Sequence, residues 1–181
     1  MSKRRRVIVH IATSADGYIA RSDGNLEWLT SRPKPAGFYG INDFMKSIDT
    51  MLIGRKTYEM SLRMGAKFKS TSRTIVFSRH PPPADIPQGV EFATGAVSPF
   101  MQRLREQEGK DIWLMGGGEL IASLLDEHAI DEMIITLNPV FIGEGIPLIG
   151  RRHRQTLLDL QSVERFEDGV VQLRYRVGND T

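Results

Sequence analysis

The stretch LMGGGELIASLLDE, residues 114–127, joins an apolar run to an amphipathic one through three consecutive glycines. The run DIWLM (111–115) is typical of a buried strand, and GELIASLLDEH (118–128) carries apolar residues at helical spacing. A strand that ends in glycines and leads into a helix is an arrangement found at the ligand crevice of open α/β sheets. Glycine lets the backbone approach an anion closely, and the helix start offers free N–H groups. A tight turn that uses glycine for backbone reasons alone is the alternative.

The first two-thirds of the chain repeats this alternation of strand and helix. The predicted strands, besides 111–115, are VIVHIA (7–12), TMLIG (50–54), RTIVFS (73–78), VEFAT (90–94) and DEMIITLNPVFI (131–142), the last broken or bulged at Asn138-Pro139. The predicted helices, besides 118–128, are GFYGINDFMKSI (37–48), with Phe44, Met45 and Ile48 on one face, RKTYEMSLRM (55–64), and SPFMQRLREQEG (98–109), with Ser98 as N-cap and Pro99 in the first turn.

The last third of the chain has a different pattern. VVQLRYRV (170–177) alternates apolar and polar residues, which is typical of an antiparallel strand with one wetted face, and we expect it to pair with LLDLQSVERF (157–166). The sequence therefore predicts a three-layer α/β/α fold. Its central sheet is mostly parallel, antiparallel strands are added at one edge, and a single domain covers residues 1–181.

Composition restricts the classes of protein that the chain can belong to. Its 181 residues are 40% hydrophobic and 25% charged, as in globular domains, and no apolar run approaches the length of a membrane span. Because the chain has no cysteine and its basic N-terminus lacks signal-peptide features, we expect a cytoplasmic protein without membrane contact. Two basic clusters, 3–6 and 151–154, are better explained as solvated loops than as a nucleic-acid face.

Phosphate-binding chemistry recurs at two further strand ends. MLIGRKTYE (51–59) places Arg55, Lys56 and Thr57 in the first turn of a helix, where cations are unfavourable unless an anion is bound. TIVFSRH (74–80) supplies Ser78 and Arg79, and arginine can bind phosphate with two hydrogen bonds. Together these strand ends suggest a ligand with several phosphates, such as NADPH. Ordinary solvated charge is the alternative for each cation taken alone.

At these residues the chain resembles the dihydrofolate reductase-like superfamily and, within it, the riboflavin-biosynthesis reductase C-terminal domain family. The resemblance covers nearly the whole chain. The segments that carry it are TSADGYIA (13–20), DGNLEWLT (23–30), IDTMLIGRKTYE (48–59), TIVFSR (74–79), IWLMGGGELIASLL (112–125) and TLNPVFIGEGIPLI (136–149).

The resemblance implies an NADPH-dependent reductase and assigns roles to residues. Phosphates would be bound by Gly54, Arg55, Lys56 and Thr57. The adenosine end would lie at Ser78 and Arg79, the nicotinamide near Ile19, and the pyrophosphate along Gly116, Gly117, Gly118, Glu119 and Leu120, with Met115 as a further cofactor contact.

The chain also departs from both branches of the superfamily. Folate-reducing members carry an acidic residue on the first helix, and alignment on Phe44 places Gly40 near that position. Riboflavin-pathway reductases typically have a lysine where Tyr18 stands and a serine where Leu26 stands. The resemblance is therefore to a stand-alone relative of both branches.

The expected chemistry is hydride transfer to a C=N or C=O carbon of a small heterocycle of pterin or pyrimidine type. Candidate proton donors are Asp16 and Asp43, and the alternatives for them are a turn-forming aspartate and a solvated helix residue. Tyr18, Trp28 and Phe44 are the candidate substrate contacts, and packing in the core is the alternative for Trp28. No cluster has metal-ligand spacing, so we predict no metal.

Two other classes of function remain open at this point. One is a non-catalytic NADPH-binding module, and the other is a nucleic-acid binder that uses its basic clusters. The alternative for the reductase is that it reduces the aminouracil intermediate of riboflavin biosynthesis. From the resemblance we also expect a two-fold homodimer formed through the late strands.

Overall fold

The computed structural model describes residues 4–32, 35–68, 72–151 and 154–178. In chain order the elements are β1 (Val7–Ser14), β2 (Tyr18–Ala20), α1 (Glu27–Thr30), α2 (Ile41–Ser47), β3 (Ile48–Gly54), α3 (Arg55–Arg63), β4 (Arg73–Phe77), β5 (Val90–Ala93), α4 (Val97–Glu106), β6 (Asp111–Gly116), α5 (Gly118–Asp126), β7 (Glu132–Asn138), β8 (Ile146–Pro147), β9 (Leu158–Arg165) and β10 (Val171–Val177).

Eight of the strands form one sheet in the order β5-β4-β3-β6-β1-β7-β10-β9. The pairings from β5 to β7 are parallel, and β10 then pairs antiparallel with both β7 and β9. β2 and β8 form a separate two-stranded pair beside it. The predicted parallel winding with antiparallel strands at one edge is confirmed.

Side chains alternate between the two faces of the sheet along each strand. Because the central strands are buried, both faces carry apolar side chains, and helices cover both. Val7 and Val9 of β1 pack with apolar residues of α4 and α5 in the main core. On the opposite face, Tyr58 of α3 packs with Ile53 and Val76 in a second cluster. Phe44 of α2 lies on this same face, stacked on His10 of β1. The chain therefore has the three layers that the sequence predicts.

Two of the predicted helices have different boundaries in the structure. The helix expected over 37–48 begins at Ile41 after a turn in which Phe38, Tyr39 and Gly40 have positive φ, and Ile48 already belongs to β3. The helix expected to be capped at Ser98 begins one residue earlier, at Val97, and no side chain caps it.

The predicted strand over 131–142 is shorter in the structure. β7 ends at Asn138, since Pro139 cannot continue the ladder, and residues 139–145 form a loop. The short elements β2, β8 and α1 were not predicted, because two to four residues carry too little periodicity to be recognised.

The strand at the antiparallel edge of the sheet exposes apolar side chains. Leu160 and Val163 of β9 are 51% and 58% exposed, and β9 pairs only on its β10 side within the described chain. None of the helices built from the described residues has the length and apolar character needed to cross a bilayer.

Candidate functional site

The candidate site lies where the carboxyl ends of neighbouring parallel strands meet. β4, β3 and β6 are adjacent in the sheet, so the segments that follow them emerge at the same edge. These are the three segments in which the sequence indicates phosphate chemistry. The structure therefore brings the three predicted strand ends together.

The glycine turn after β6 lies directly against the end of β3. A β-carbon built on Gly54 would be 3.7 Å from both the carbonyl oxygen of Gly116 and the amide nitrogen of Gly117. A β-carbon on Gly117 would lie 2.9 Å from Oγ1 of Thr57 and 3.9 Å from Cδ1 of Ile19. The peptide bond between Gly116 and Gly117 is cis. The missing side chains leave a narrow gap bounded by Thr57, Ile19 and the glycine backbone.

Two helices begin at this gap. α3 starts after Gly54 and α5 after Gly117, and neither helix has a side-chain hydrogen bond at its N-cap. The first turn of a helix leaves backbone N–H groups without intrahelical acceptors and carries a partial positive charge. The gap is therefore a place where an anion would be stabilised. The exposed Glu119 in the first turn of α5 is the acidic residue nearest to it in sequence.

Arg55 links the start of α3 to the end of β4. Its Nη1 donates to Oγ of Ser78 at 3.3 Å and to the carbonyl oxygen of Pro81 at 2.9 Å, and its Nε donates to Glu59 at 2.7 Å. Lys56 and Arg79 are exposed and form no hydrogen bond or ion pair with another residue in the part of the chain that the structure describes. These two cations remain available to a ligand.

A segment in which no site residue was predicted packs against the glycine turn from the other side. A β-carbon on Gly118 would lie 2.4 Å from the carbonyl oxygen of Pro147, and the amide of Gly150 donates to the carbonyl of Gly118 at 2.9 Å. The amide of Leu148 donates to the carbonyl of Gly17 at 3.0 Å. The glycine-rich run IGEGIPLIG (142–150) was the available signal, since close backbone approach favours glycine.

Asp16 has the contacts of a structural carboxylate. It accepts hydrogen bonds from the hydroxyl of Ser14 at 2.6 Å and from the amides of Ile142 and Gly143 at 3.1 and 2.7 Å. These bonds, above all the one from Ser14, lower the pKa of Asp16. A carboxylate that is held ionised is a poor proton donor, so the geometry favours the turn-forming alternative for Asp16.

Asp43 faces solvent. Its side chain is 85% exposed and is bound by Lys46 of the same helix at 2.7 Å. The hydrogen bond from Lys46 lowers the pKa of Asp43. This geometry favours the solvated alternative, and no described contact joins Asp43 to the glycine turn.

The three predicted substrate contacts lie in different surroundings. Phe44 stacks on His10 with ring centroids 4.8 Å apart and meets Trp113 edge-on. Burial lowers the pKa of His10 to about 4, so this ring is neutral at physiological pH. Trp28 is buried in α1, and its indole N–H has no acceptor among the described residues. Tyr18 is half-buried in β2, where its amide donates to Ser14.

A cavity of about 540 Å³ opens beside α3, and none of its lining residues was predicted to be a site residue. Loop 23–27 and the C-terminal half of α3 form its walls, which come together only through folding. Its lining residues are Asp23, Gly24, Asn25, Leu26, Glu27, Thr30, Met60, Arg63 and Met64.

Within the described ranges, no three His, Asp or Glu side chains lie close enough together to share a metal ion. The absence of a metal from the protein stays a prediction.

Comparison with known proteins identifies relatives that span the chain. The RibD C-terminal domain model matches residues 5–172. YwjB of Bacillus subtilis (strain 168), a protein of uncharacterised function, is 36% identical over 171 residues, covering 94% of this chain and 97% of YwjB.

Solved structures share the fold. A crystal structure from Shewanella sp. PV-4, of a protein whose name points to riboflavin biosynthesis, has a TM-score of 0.83 and 31% identity, covering 96% of this chain and 99% of that one. Dihydrofolate reductase from Enterococcus faecalis, solved as a complex with NADP(H), has a TM-score of 0.65 and 17% identity, covering 99% of this chain and 100% of that one. The second likeness confirms the predicted dihydrofolate reductase-like fold.

Proposed function

The chain belongs to the RibD C-terminal domain family, and from this and its geometry we propose that it is an NADPH-dependent reductase. The proposed reaction transfers a hydride to a C=N or C=O carbon of a small heterocycle of pterin or pyrimidine type. The family and the structural relatives include reductases, which supports an oxidoreductase as the class of enzyme.

One observation carries the proposal. A β-carbon on Gly117 would lie 2.9 Å from Oγ1 of Thr57, and a β-carbon on Gly54 would lie 3.7 Å from the amide nitrogen of Gly117, so two strand ends and two helix starts meet at one place. Because glycine has no β-carbon, a pyrophosphate in this gap can approach backbone N–H groups that no side chain caps. The residues present therefore fit the phosphates of a dinucleotide.

The residues near the gap have distinct roles in this proposal. The amides at the start of α5 and the hydroxyl of Thr57 would donate to the pyrophosphate, and Lys56 and Arg79 would neutralise the 2′-phosphate at the adenosine end. Arg55 positions Ser78 through their hydrogen bond. Ile19 forms an apolar wall that excludes water beside the nicotinamide. When bound, NADPH supplies the hydride, and the protein supplies orientation and electrostatics.

No predicted side chain is well suited to donate the proton that must follow the hydride. Asp16 is committed to backbone amides, Asp43 is solvated, and His10 is neutral. We therefore propose that solvent water delivers the proton. The same observation favours the alternative of a non-catalytic NADPH-binding module, which would bind the cofactor without turnover.

The riboflavin-pathway substrate, 5-amino-6-(5-phosphoribosylamino)uracil, is the second candidate. Membership of the family favours it. Tyr18 and Leu26 stand where reductases of that pathway typically carry a lysine and a serine, and this difference favours another heterocycle.

A homodimer remains part of the proposal. The exposed apolar residues of β9 lie on the free edge of the sheet, and an edge of this kind is a template for pairing with a second chain. We propose that two copies associate through the β9–β10 edge. We also propose a cytoplasmic location, without a nucleic-acid or membrane partner.

Following NADPH absorbance in the presence of dihydrofolate, the aminouracil and simple pterins tests the enzyme assignment. Oxidation of NADPH with any of these heterocycles supports a reductase. Tight NADPH binding without turnover across the whole panel supports the binding module instead. If NADPH does not bind, both assignments are wrong.

A further inference from the structure

The cavity beside α3 has the chemistry of a selective binding site. We propose that it binds the substituent of the substrate ring and that this substituent is uncharged or cationic, with an apolar part, and carries neither phosphate nor carboxylate. This inference rests on the proposed function for the identity of the ring, and on the cavity alone for the chemistry of its substituent.

The position of the cavity connects it with the glycine gap. Thr57 and Met60 lie three residues apart on α3, and Met64 is the C-cap residue four residues further on, so the three lie on one side of the helix. Thr57 borders Gly117, while Met60 and Met64 line the cavity. Ile19, the proposed wall beside the nicotinamide, borders the same gap, and the chain runs from it through β2 into loop 23–27. A substrate ring beside the nicotinamide can therefore extend its substituent along this side of α3 into the cavity.

The size and floor of the cavity suit part of a small molecule. Its volume of about 540 Å³ lies within the range of roughly 300–1,000 Å³ typical of ligand sites. Leu26, Met60 and Met64 provide apolar surface, and methionine adapts its shape to different ligands. A β-carbon on Gly24 would lie 2.5 Å from Sδ of Met60, so the loop packs closely on α3 at the edge of the cavity.

The charges that line the cavity disfavour an anion. Asp23 and Glu27 contribute two negative charges and Arg63 one positive charge, which gives a formal sum of −1. None of Asp23, Glu27 and Arg63 forms an ion pair within the described part of the chain, so all three charges act on a ligand.

Two backbone amides of loop 23–27 are also unavailable to an anion. The amide of Asn25 donates to Asp23 at 2.8 Å, and the amide of Glu27 donates to Asn25 at 2.7 Å. Loop amides are a common phosphate-binding element, and here the loop's own side chains already satisfy two of them. An unpaired charge of the same sign as the ligand's charge, placed beside the ligand, disfavours its binding. The cavity therefore selects against phosphate.

Methionine methyl NMR tests this directly, because the probes bind at labelled residues and no turnover is needed. The chain has eight methionines; with ¹³C-methyl labelling, Met60 and Met64 report on the cavity and Met115 on the glycine turn. The probes are benzyl alcohol, benzylammonium and benzyl phosphate, which share one ring and differ in charge. Leucine substitution of each reporter methionine assigns its signal.

We expect benzyl alcohol and benzylammonium to shift the Met60 and Met64 signals, with affinities about three- to tenfold higher than benzyl phosphate at low ionic strength. The difference should shrink in Asp23→Asn/Glu27→Gln and persist in the matched control Glu106→Gln, which removes an exposed charge from α4. NADP⁺ should shift Met115 in the same sample, so a failure of the proposed cofactor site shows up separately.

Two results would overturn the inference. One is the absence of any shift at Met60 and Met64 with all three probes. The other is an affinity for benzyl phosphate that equals or exceeds that of the other probes, or that the double variant leaves unchanged.

Discussion

Oγ1 of Thr57 lies 2.9 Å from the position that a β-carbon would take on Gly117, so the start of α3 and the turn after β6 face each other across one narrow gap. Gly117→Ala should therefore fill the space in which the pyrophosphate is proposed to lie. We expect its dissociation constant for NADPH to rise about tenfold or more, equivalent to at least ~1.4 kcal/mol of binding free energy. Calorimetric titration measures this.

A second variant separates lost binding from lost folding. Thr57→Ala in the Gly117→Ala background removes the atom that the new methyl group would meet. We expect this double variant to regain the thermal stability of the wild type without regaining NADPH affinity. An affinity for NADPH in Gly117→Ala equal to that of the wild type would show that the gap does not hold the pyrophosphate.

Arg79 and Lys56 should determine the preference for NADPH over NADH. Both are exposed and unpaired within the described chain, and a 2′-phosphate would supply their missing partner. We expect Arg79→Gln to weaken NADPH binding about tenfold while NADH binding is unchanged. Arg103→Gln on α4 is the matched control. Equal losses for the two cofactors would place Arg79 away from the 2′-phosphate.

Variants of the two predicted proton donors should differ in stability. Asp16→Asn places an amide group where the carboxylate accepts bonds from Ile142 and Gly143, and we expect a lower midpoint of thermal unfolding. Asp43→Asn should leave both the unfolding midpoint and kcat unchanged, because the side chain is in solvent. A large fall in kcat for Asp43→Asn with normal NADPH binding would restore Asp43 as the donor.

His10 should make stability fall in mild acid. Burial lowers the pKa of His10 from 6.5 to about 4, and the positive charge of Arg174 adds to this. Between these values the unfolded chain binds a proton that the folded chain does not, so stability decreases as pH falls from 6.5 towards 4 and levels off below.

The full effect is on the order of 3 kcal/mol. Denaturant unfolding of the wild type and of His10→Leu as a function of pH measures it, and the variant should lose this component of the pH dependence. If the two proteins show the same slope over this pH range, folding does not lower the pKa of His10.

The β9 edge should control association. Leu160→Lys and Val163→Lys place charge on residues that are already exposed in one chain, so the fold should survive while a dimer through this edge dissociates. Sedimentation velocity at micromolar concentration measures this. Ile86→Lys, on an exposed loop residue, is the control. A wild-type monomer under these conditions would contradict the proposed dimer.

The glycine turn and the Arg-Lys-Thr helix start were predictable, because each is a local pattern with a physical cause. Glycine permits close approach and a helix start attracts anions, so these segments were recognised without knowing their neighbours. The alternation of strands and helices predicts a parallel sheet, and adjacent parallel strands end at one edge of that sheet.

Other features depend on contacts that no local pattern contains. Ser98 had the composition of an N-cap, but α4 starts one residue before it. The bracing of Gly118 by Pro147 and the cavity between loop 23–27 and α3 each require two segments that meet only in the folded chain. The assignment of Asp16 as a proton donor is weakened in the same way, since its partners Ile142 and Gly143 are distant in sequence.

A crystal structure of the chain with NADP⁺ tests the central claim most directly. The account predicts that the pyrophosphate lies within hydrogen-bond distance of the Gly117 and Gly118 amides and the Thr57 hydroxyl, with the adenosine end near Arg79. Electron density for the cofactor at any other place, or none at saturating NADP⁺, would contradict it.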